Sequence, residues 1–307
     1  MPLSFNWLKK YISKGIVSHF PSKSGQVRYV GNAHMFIDDL GKGLLPLRGR
    51  TEKYPDFAIT LRGNDIESGR EVLKGLVRTQ RFYNDNELLC DLVNDLAKNI
   101  FYFTGVKYTR EDPRLVGLKF FTGDNCFRLP FITIQYVPKL DRDKFRSILK
   151  YEFNKNIFQI SVFVSFSERL RYRIVLWLLG IADNVSPDFF QRERFQNRVG
   201  LSIEEFNKLR SSFIASITKA YGWKQRSLSN RYINEYYLVY STLRSSLKKI
   251  EYRDKIISQL NTLLAKLGID AVIEVQGLPD KNRIEAAIES LKKGELDFRD
   301  SINLAYF

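Results

Sequence analysis

Histidine and cysteine are nearly absent from this sequence, which limits the chemistry that it can support. The 307 residues include only two histidines, His19 and His34, and two cysteines, Cys90 and Cys126. The cysteines lack the close spacing of zinc ligands, and two thiols cannot build the disulfide framework of a small secreted domain. So few histidines also leave little for a histidine-based triad or metal site. We therefore expect a reducing compartment and no metal or other cofactor.

Long hydrophobic runs are also missing. The longest apolar run, Ile174–Ala182, includes Gly180 and is far shorter than the roughly 20 residues that a membrane-spanning helix needs. The first 20 residues scatter Lys9, Lys10 and Lys14 through an apolar pattern, without the uninterrupted core of a signal peptide. We expect a soluble, non-secreted chain with no membrane partner.

The catalytic motifs that a sequence can show are absent as well. There is no phosphate-binding Gly-x-x-x-x-Gly-Lys-Ser/Thr loop, no Gly-x-Gly-x-x-Gly, no Gly-x-Ser-x-Gly and no His-Glu-x-x-His. A Mg²⁺-dependent nuclease of the restriction type needs paired carboxylates and a nearby lysine, but no Asp-x-Lys or Glu-x-Lys occurs. Asp56, which follows Pro55, is better explained as a turn residue. A nuclease is therefore a minor alternative, and we expect no enzyme.

The clearest positive feature is the charge. Forty-nine Lys and Arg against 34 Asp and Glu give a formal charge of +15 and a pI near 9.6. Such an excess favours an acidic partner, most commonly nucleic acid, although a basic background composition would give the same number. Aromatic residues accompany the cations between two predicted helices, where rings and cations together are typical of nucleic-acid contact. The candidate contact residues there and on the next helix are Lys219, Lys224, Arg226, Arg231, Lys248 and Lys249.

The hydrophobic pattern changes period near the middle of the chain and predicts an α+β protein. Residues 1–166 form a mixed strand and helix region, and residues 167–307 form a mainly helical half with one very long helix. Helices are predicted from Ile66 to Gln80 and from Asn84 or Asp85 onward. The predicted strands are Gln26–Ile37, Asp56–Arg62, Tyr102–Thr109, Leu115–Phe121, Phe127–Val137 and Ile157–Phe166.

The helical half has well-marked boundaries. Ser202 and Glu205 form a capping box, and Leu170, Ile174, Trp177, Leu178 and Ile181 form one stripe of an earlier helix. A strand and a helix, 271–293, close the chain, with Asp280 as the helix cap. The segment 230–267 contains no Gly or Pro and predicts one long helix, either continuous or with a break or bend around Glu251–Asp254. Because so long a helix usually packs along a neighbour, its apolar residues are candidates for an interface between copies: Tyr237, Tyr240, Leu247, Ile250, Ile257 and Leu264.

The order of features in the last third resembles the closing part of tailed-phage portal proteins. The matching features are Phe213-Ile214-Ala215, Tyr221-Gly222-Trp223, Tyr232–Glu235, Leu243–Ile250, Gln259-Leu260-Asn261-x-x-Leu264, Ile273, Gly277-Leu278-x-Asp280-x-x-Arg283 and Gly294-x-Leu296. Upstream, the helix Leu88–Leu96 followed by strands is similar to the wing region of that family. Asp297 and Asp300 depart from the usual Thr and Glu.

This resemblance implies a structural virion protein, assembled in the host cytoplasm, that forms a ring at one capsid vertex, with twelve copies as in that family. Double-stranded DNA would pass through the ring during packaging and ejection, and capsid and tail-adaptor proteins would bind it. The segment from Tyr221 to Arg231 lies where the family places a channel loop, so its cations would touch phosphates without reading bases. No catalysis is implied, because a separate ATPase supplies the energy.

Two other hypotheses stay open from the residues alone. One is a nucleic-acid-binding protein or Mg²⁺-dependent nuclease of a defence or mobile element. The other is a scaffold or adaptor whose charge serves protein contacts.

Overall fold

A computed structural model describes residues 11–17, 31–46, 54–77, 84–99, 103–107, 119–123, 126–163, 165–184, 202–225 and 234–305. In chain order the elements are β1 (Ile12–Lys14), α1 (Asn32–Gly41), β2 (Ala58–Gly63), α2 (Ile66–Lys74), α3 (Asp85–Asn99), β3 (Phe103–Lys107), β4 (Lys119–Gly123), β5 (Cys126–Arg128), β6 (Ile132–Tyr136), α4 (Arg142–Phe145), β7 (Leu149–Phe153), β8 (Ile157–Ile160), α5 (Phe166–Asn184), α6 (Ile203–Thr218), α7 (Glu235–Lys266), β9 (Ala271–Gln276), α8 (Lys281–Lys293) and α9 (Phe298–Leu304). The predicted α+β class, with a long helix in the second half, is confirmed.

The chain divides into two compact units. The strand unit takes Met1–Arg28, Leu45–Val162 and Asp254–Leu278, and the helix unit takes Tyr29–Leu44, Phe163–Arg253 and Pro279–Phe307. The chain therefore changes unit at Val162, near the predicted division at residue 166. Each unit also includes segments from distant parts of the sequence.

The described strands all belong to the strand unit and form three small sheets. The largest has the order β1-β7-β6-β5, in which β1 is parallel to β7 and the other pairs are antiparallel. A second sheet pairs β2 with β9, and a third has the order β4-β3-β8. Helices α2 and α3 pack against β2, and the side chains that fill α3's inner side are Leu88, Leu89, Leu92, Val93 and Leu96.

One predicted strand is wrong. Residues 32–37 of the predicted strand Gln26–Ile37 lie in the helix α1, and residues 26–30 lie outside the described part of the chain. The physical reason is the spacing of Phe36, Ile37 and Leu40, which places three buried side chains on one side of a helix. The β propensity of the aromatic and branched residues misled the prediction, because burial in a helix outweighs it.

The other predicted strands agree more closely with the structure. Strands lie within Tyr102–Thr109 and Ile157–Phe166, although the last of these ends at Ile160 and α5 already begins at Phe166. The strand β2 overlaps the predicted Asp56–Arg62 but runs one residue further, to Gly63. The segment Phe127–Val137 forms two strands joined by a turn instead of one. Of Leu115–Phe121, residues 115–118 lie outside the described residues.

The predicted helix caps are confirmed in the helix unit. Ser202 and Glu205 form the capping box at the start of α6, and the Asp280 carboxylate accepts a hydrogen bond from the Arg283 amide at the start of α8. These contacts satisfy backbone N–H groups that a helix leaves unpaired at its first turn.

A buried carboxylate joins three helices of this unit. The Asp183 side chain at the end of α5 accepts hydrogen bonds from the Asn32 amide at the start of α1, at 2.7 Å, and from the Arg210 guanidinium of α6, at 3.0 Å. Arg210 also donates to the Ala182 carbonyl at 2.8 Å. Because carboxylate, guanidinium and helix terminus all have partners, the pairing fixes how α1, α5 and α6 meet.

The long helix α7 runs without interruption from Glu235 to Lys266, through the predicted break at Glu251–Asp254. Residues 230–233 of the predicted helix lie outside the described residues. Side chains of its second half hold two segments of the strand unit. Asn261 accepts a hydrogen bond from the Ile273 amide at 2.8 Å and donates to the Ile273 carbonyl at 3.2 Å, and Gln259 pairs in the same way with both backbone groups of Ser161.

Candidate interaction surfaces

Of the three aromatic residues among the nominated cations, Tyr221 and Trp223 are part of the helix unit's own core, and Tyr232 lies outside the described residues. Tyr221 and Trp223 are buried, and both rings meet Phe36 edge-on with centroids 5.3 and 5.4 Å away. Tyr172 completes the cluster by stacking on Phe36. The Trp223 indole N–H donates to the Asp39 carboxylate at 2.9 Å. These rings pack α1 and α5 together and cannot stack on bases without unfolding the cluster.

The nominated cations differ in their surroundings. Lys219 is exposed at the C-terminal end of α6. Lys224 is half-buried and its ammonium donates to the Thr242 hydroxyl, and Lys248 forms an ion pair with Glu251 at 2.7 Å. Burial lowers the pKa of Lys224 and that of Lys249, and the Asp39 carboxylate partly offsets the second shift. Arg226 and Arg231 lie outside the described residues, so their predicted role stays a prediction.

Three of the nominated interface residues on α7 face the interior of this chain. Leu247, Ile250 and Leu264 are buried in the isolated chain, whereas Tyr237, Tyr240 and Ile257 are half-buried. The turn at Gly222 explains part of this burial, because it lies directly against the α7 backbone at Ser241 and Ser245. The length of α7 is therefore used within the chain, and a second copy could reach only the half-buried positions.

An exposed apolar stripe lies instead on α5. Phe166, Leu170, Ile174 and Trp177 follow one another at spacings of four, four and three residues, and all four are exposed, Phe166 by 80% and Trp177 by 66%. The opposite side of the helix carries the buried residues Tyr172, Leu179 and Ala182 and packs against α1 and α6. The stripe that the sequence predicted therefore exists, but it points away from the core of its unit. We call these four residues the α5 stripe.

The four-stranded sheet of the strand unit has a second exposed apolar surface. Alternate residues of its strands point to one side, and nearly all of them are apolar or aromatic. This open sheet face consists of Ile12, Lys14, Phe127, Ile132, Ile134, Tyr136, Leu149, Tyr151 and Phe153. Phe127, Tyr136, Phe153 and Ile12 are exposed there, and the neighbouring turn presents Phe131 with 84% of its surface open.

The other side of the same sheet is polar and buried, which reverses the usual arrangement. Thr133, Gln135 and Glu152 are each almost fully enclosed. Gln135 accepts a hydrogen bond from the Val17 amide at 2.9 Å and donates to the Val17 carbonyl at 3.0 Å. Thr133 donates to Asn154 at 2.7 Å. Because Thr133 and Gln135 have hydrogen-bond partners, they can stay enclosed while the apolar side faces outward.

The sequence contained a signal for this face that the predictions did not use. Leu149-Lys150-Tyr151-Glu152-Phe153 alternates apolar and charged residues with a period of two, the pattern of a strand with two unlike faces. The structure shows this segment as β7. What alternation cannot tell is which of the two faces is buried.

Two cations lie against rings of the open sheet face, in a segment that is rich in basic residues. The Lys14 ammonium lies 5.8 Å from the centre of the Phe153 ring, and the Arg142 guanidinium lies 5.2 Å from the centre of the Tyr136 ring. The segment 126–156 includes seven basic residues, Arg128, Lys139, Arg142, Lys144, Arg146, Lys150 and Lys155, against three acidic ones, Asp141, Asp143 and Glu152. Two of those acids, Asp141 and Glu152, are buried. The solvent-facing charge of this segment is therefore almost entirely positive.

Within the described part of the chain there is no group of three or more His, Cys, Asp or Glu that could hold a metal ion. Cys90 and Cys126 are both buried. Asp56 lies in a turn that the Phe57 amide closes by donating to the Tyr54 carbonyl at 3.1 Å, as expected for a turn residue. None of the helices in the described ranges has the length and apolar character needed to cross a membrane.

Comparison of the chain with family models, with curated proteins and with solved structures finds no match.

Proposed function

We propose that the chain is a structural subunit of portal type, which assembles with copies of itself into a ring at a capsid vertex. The ring would conduct double-stranded DNA during packaging and ejection and bind capsid and tail-adaptor proteins. The order of features in the last third supports the proposal, as does the α+β fold with its long helix. The observation that carries the self-assembly is the α5 stripe, because a line of large exposed apolar side chains usually marks a protein contact.

The geometry of the stripe suits another helix or an apolar groove on a neighbouring copy. From Phe166 to Trp177 the helix rises about 16 Å, at roughly 1.5 Å per residue. Leu170, Ile174, Trp177 and Ile181 follow spacings of four, three and four, which are those of a helix-packing seam. We therefore assign the contact between copies to α5 and not to the buried residues of α7.

The charges beside the stripe favour a ring over a two-fold dimer. Arg171 and Arg173 are exposed on α5. A two-fold contact of α5 with α5 would bring the same arginines of both copies together, and like charges at an interface cost several kcal/mol. A head-to-tail contact places the stripe against a different surface of the neighbour and avoids this repulsion. Head-to-tail contacts close into rings when the rotation allows it.

Contact with duplex DNA would be made by cations that touch phosphates. Lys219 is the exposed member of the nominated set among the described residues, and Arg226 and Arg231 follow in the sequence. Such contacts do not depend on base sequence and weaken as salt rises.

Native mass measurement of the purified chain at micromolar concentration and physiological salt tests the proposal. We expect a particle of many subunits, each of 35.9 kDa. Trp177→Glu should release subunits, because a carboxylate cannot be buried in an apolar contact without a large desolvation cost. Ile203→Glu is the matched control, since Ile203 is equally apolar and exposed but lies outside the stripe. The competing hypothesis of a defence nuclease predicts a small species that cleaves DNA when Mg²⁺ is added.

A further inference from the structure

The open sheet face combines exposed rings in an ordered array. Phe127, Ile134, Tyr151 and Lys14 lie opposite one another on four adjacent strands and form one row across the sheet. Ile132 and Phe153 form the next row, and Tyr136, Leu149 and Ile12 form the row on the other side. The ring centroids of Tyr151 and Phe153 on β7 are 6.0 Å apart. Phe127 lies two strands from Tyr151 in the same row, roughly 10 Å away at about 4.8 Å per strand, so the rings form a spaced array on which unstacked bases can lie.

The cations beside the open sheet face, which we call its positive rim, indicate what kind of partner fits it. Outside the strands, four cations of the segment 126–156 are exposed, namely Lys139, Lys144, Arg146 and Lys155, whereas Asp143 is the one exposed acid of that segment. Arg128 is exposed as well, but its place opposite Thr133 puts it on the other side of the sheet. A second copy of this chain carries the same rim and a formal charge of +15, so pairing two open sheet faces would bring cations together. A nucleic acid fits both the exposed rings and the positive charge of this face, because its phosphates meet the cations while its bases cover the rings.

Single strands meet this description better than a duplex. In a duplex the flat surfaces of the bases are stacked on one another, and only their edges are open in the grooves. In a single strand the bases can turn outward and stack on side-chain rings. We infer that the open sheet face, with Phe127, Tyr136, Tyr151 and Phe153 as its rings and Lys14 and Arg142 at its rim, is a binding site for single-stranded nucleic acid without base specificity.

This site is separate from the contact that the proposed function assigns to α5. It lies in the strand unit and involves none of the residues of the α5 stripe. A failure of either proposal therefore leaves the other standing.

The test is fluorescence anisotropy of a labelled oligothymidylate of about ten nucleotides, within the range that one such surface covers, titrated with the full-length chain. We expect binding at least about tenfold tighter than to a duplex of the same length. Phe127→Leu and Phe153→Leu keep an apolar side chain but remove the ring, and each should weaken binding by about tenfold. Lys14→Gln and Arg142→Gln should each reduce the slope of log affinity against log salt by about 0.7.

Tyr236→Leu is the matched control, because it removes an exposed ring of the helix unit that lies outside the α5 stripe, and it should leave oligonucleotide affinity unchanged. Ultraviolet crosslinking of the unmodified chain to the same oligonucleotide avoids any effect of a substitution on folding. The crosslinks should map to peptides that include Phe127, Tyr136, Tyr151 or Phe153. Equal affinity for the duplex, full affinity in both leucine variants, or crosslinks confined to other peptides would overturn the inference. So would a loss of subunits from the assembly in Phe127→Leu with oligonucleotide binding intact, because it would identify the face as a protein contact.

Discussion

Gly222 lies where a single methyl group would collide with the backbone of α7. Its φ is 64°, and a Cβ atom there would be 2.3 Å from the Ser241 carbonyl oxygen and 2.5 Å from the Ser245 nitrogen. Both neighbours are main-chain atoms of a helix, so they cannot move aside as a flexible side chain can. The residue therefore lets the turn after α6 approach α7 closely.

We predict that Gly222→Ala destabilises the protein by about 3 kcal/mol or more, from overpacking and from the left-handed backbone conformation together. Gly294→Ala is the matched control. Its φ of 74° is similar, but no atom lies within 4 Å of the added methyl group, so it should cost only about 1–2 kcal/mol. Denaturant unfolding of the two variants measures the difference. Equal losses would contradict the close approach of the turn to α7.

The Lys249 ammonium is largely buried, which disfavours its charged form. Burial lowers its pKa, and the Asp39 carboxylate only partly offsets that shift. The unfolded chain keeps the ordinary value of 10.5, so between the folded and unfolded values the unfolded state binds more protons. Stability should therefore rise with pH in that window, and below it the cost of the buried ammonium is present in full.

We predict that Lys249→Met raises the melting temperature at pH 7 and removes this rise of stability below pH 10.5. Burial also raises the pKa of Tyr221 to about 12, which lowers stability above pH 10, so the difference between wild type and variant is the quantity to compare. Thermal melts of both proteins from pH 7 to 10 measure this difference in melting temperature. A lower melting temperature in the variant would show that the ammonium is better paired than its burial implies.

At the scale of elements, amide side chains replace backbone pairing in several places of the strand unit. Asn261 and Gln259 of α7 each bind both backbone groups of one residue, and Gln135 does the same for Val17. Asn94 of α3 makes the same pair of bonds with Leu45, at 3.3 and 3.4 Å. A primary amide carries a donor and an acceptor side by side, so it can substitute for a neighbouring strand.

Asn261→Ala should therefore destabilise the strand unit by about 2–3 kcal/mol, because the buried Ile273 would lose partners for both its N–H and its carbonyl. Thr262→Ala, at the next position of α7, is exposed and should change stability by less than about 0.5 kcal/mol. Hydrogen exchange at the Ile273 amide reports the effect directly. Unchanged protection there in the alanine variant would rule out this role for Asn261.

Particular elements show how far the sequence could predict the fold. Local signals were sufficient for α6 and α8, whose caps lie within three residues of each helix start, and for α7, whose segment contains no Gly or Pro. The strand predicted over Gln26–Ile37 failed at α1 because Phe36 is buried by Tyr172, Tyr221 and Trp223, which lie far away in the sequence. No local pattern contains those partners.

The candidate surfaces were harder to predict because a local pattern does not show which side of a helix or strand is buried. Leu170, Ile174 and Trp177 form the stripe that the sequence indicates, but amphipathic periodicity does not say whether a stripe faces the core or a partner. Likewise, Tyr221 and Trp223 suggested base stacking because they accompany cations, whereas in the fold they fill the core. Several exposed rings, such as Phe127 and Phe153, lie in strands whose polar side is turned inward.

At the scale of the whole molecule, the charge and the exposed apolar surfaces belong together. A chain with a formal charge of +15 repels its own copies over distance, so only short-range apolar contact or an intervening polyanion can hold copies together. We propose that the α5 stripe supplies the apolar contact and that the open sheet face attracts the polyanion. Assembly through the stripe should therefore tighten as salt rises, whereas nucleic-acid binding should weaken.

The native mass of the purified protein tests the central claim most directly. Mass photometry or native mass spectrometry at micromolar concentration and physiological salt should show one closed species whose mass is a whole multiple of 35.9 kDa. The Trp177→Glu variant should then shift to the mass of a single chain while Ile203→Glu stays assembled. A wild-type protein that remains at 35.9 kDa under these conditions would contradict the account.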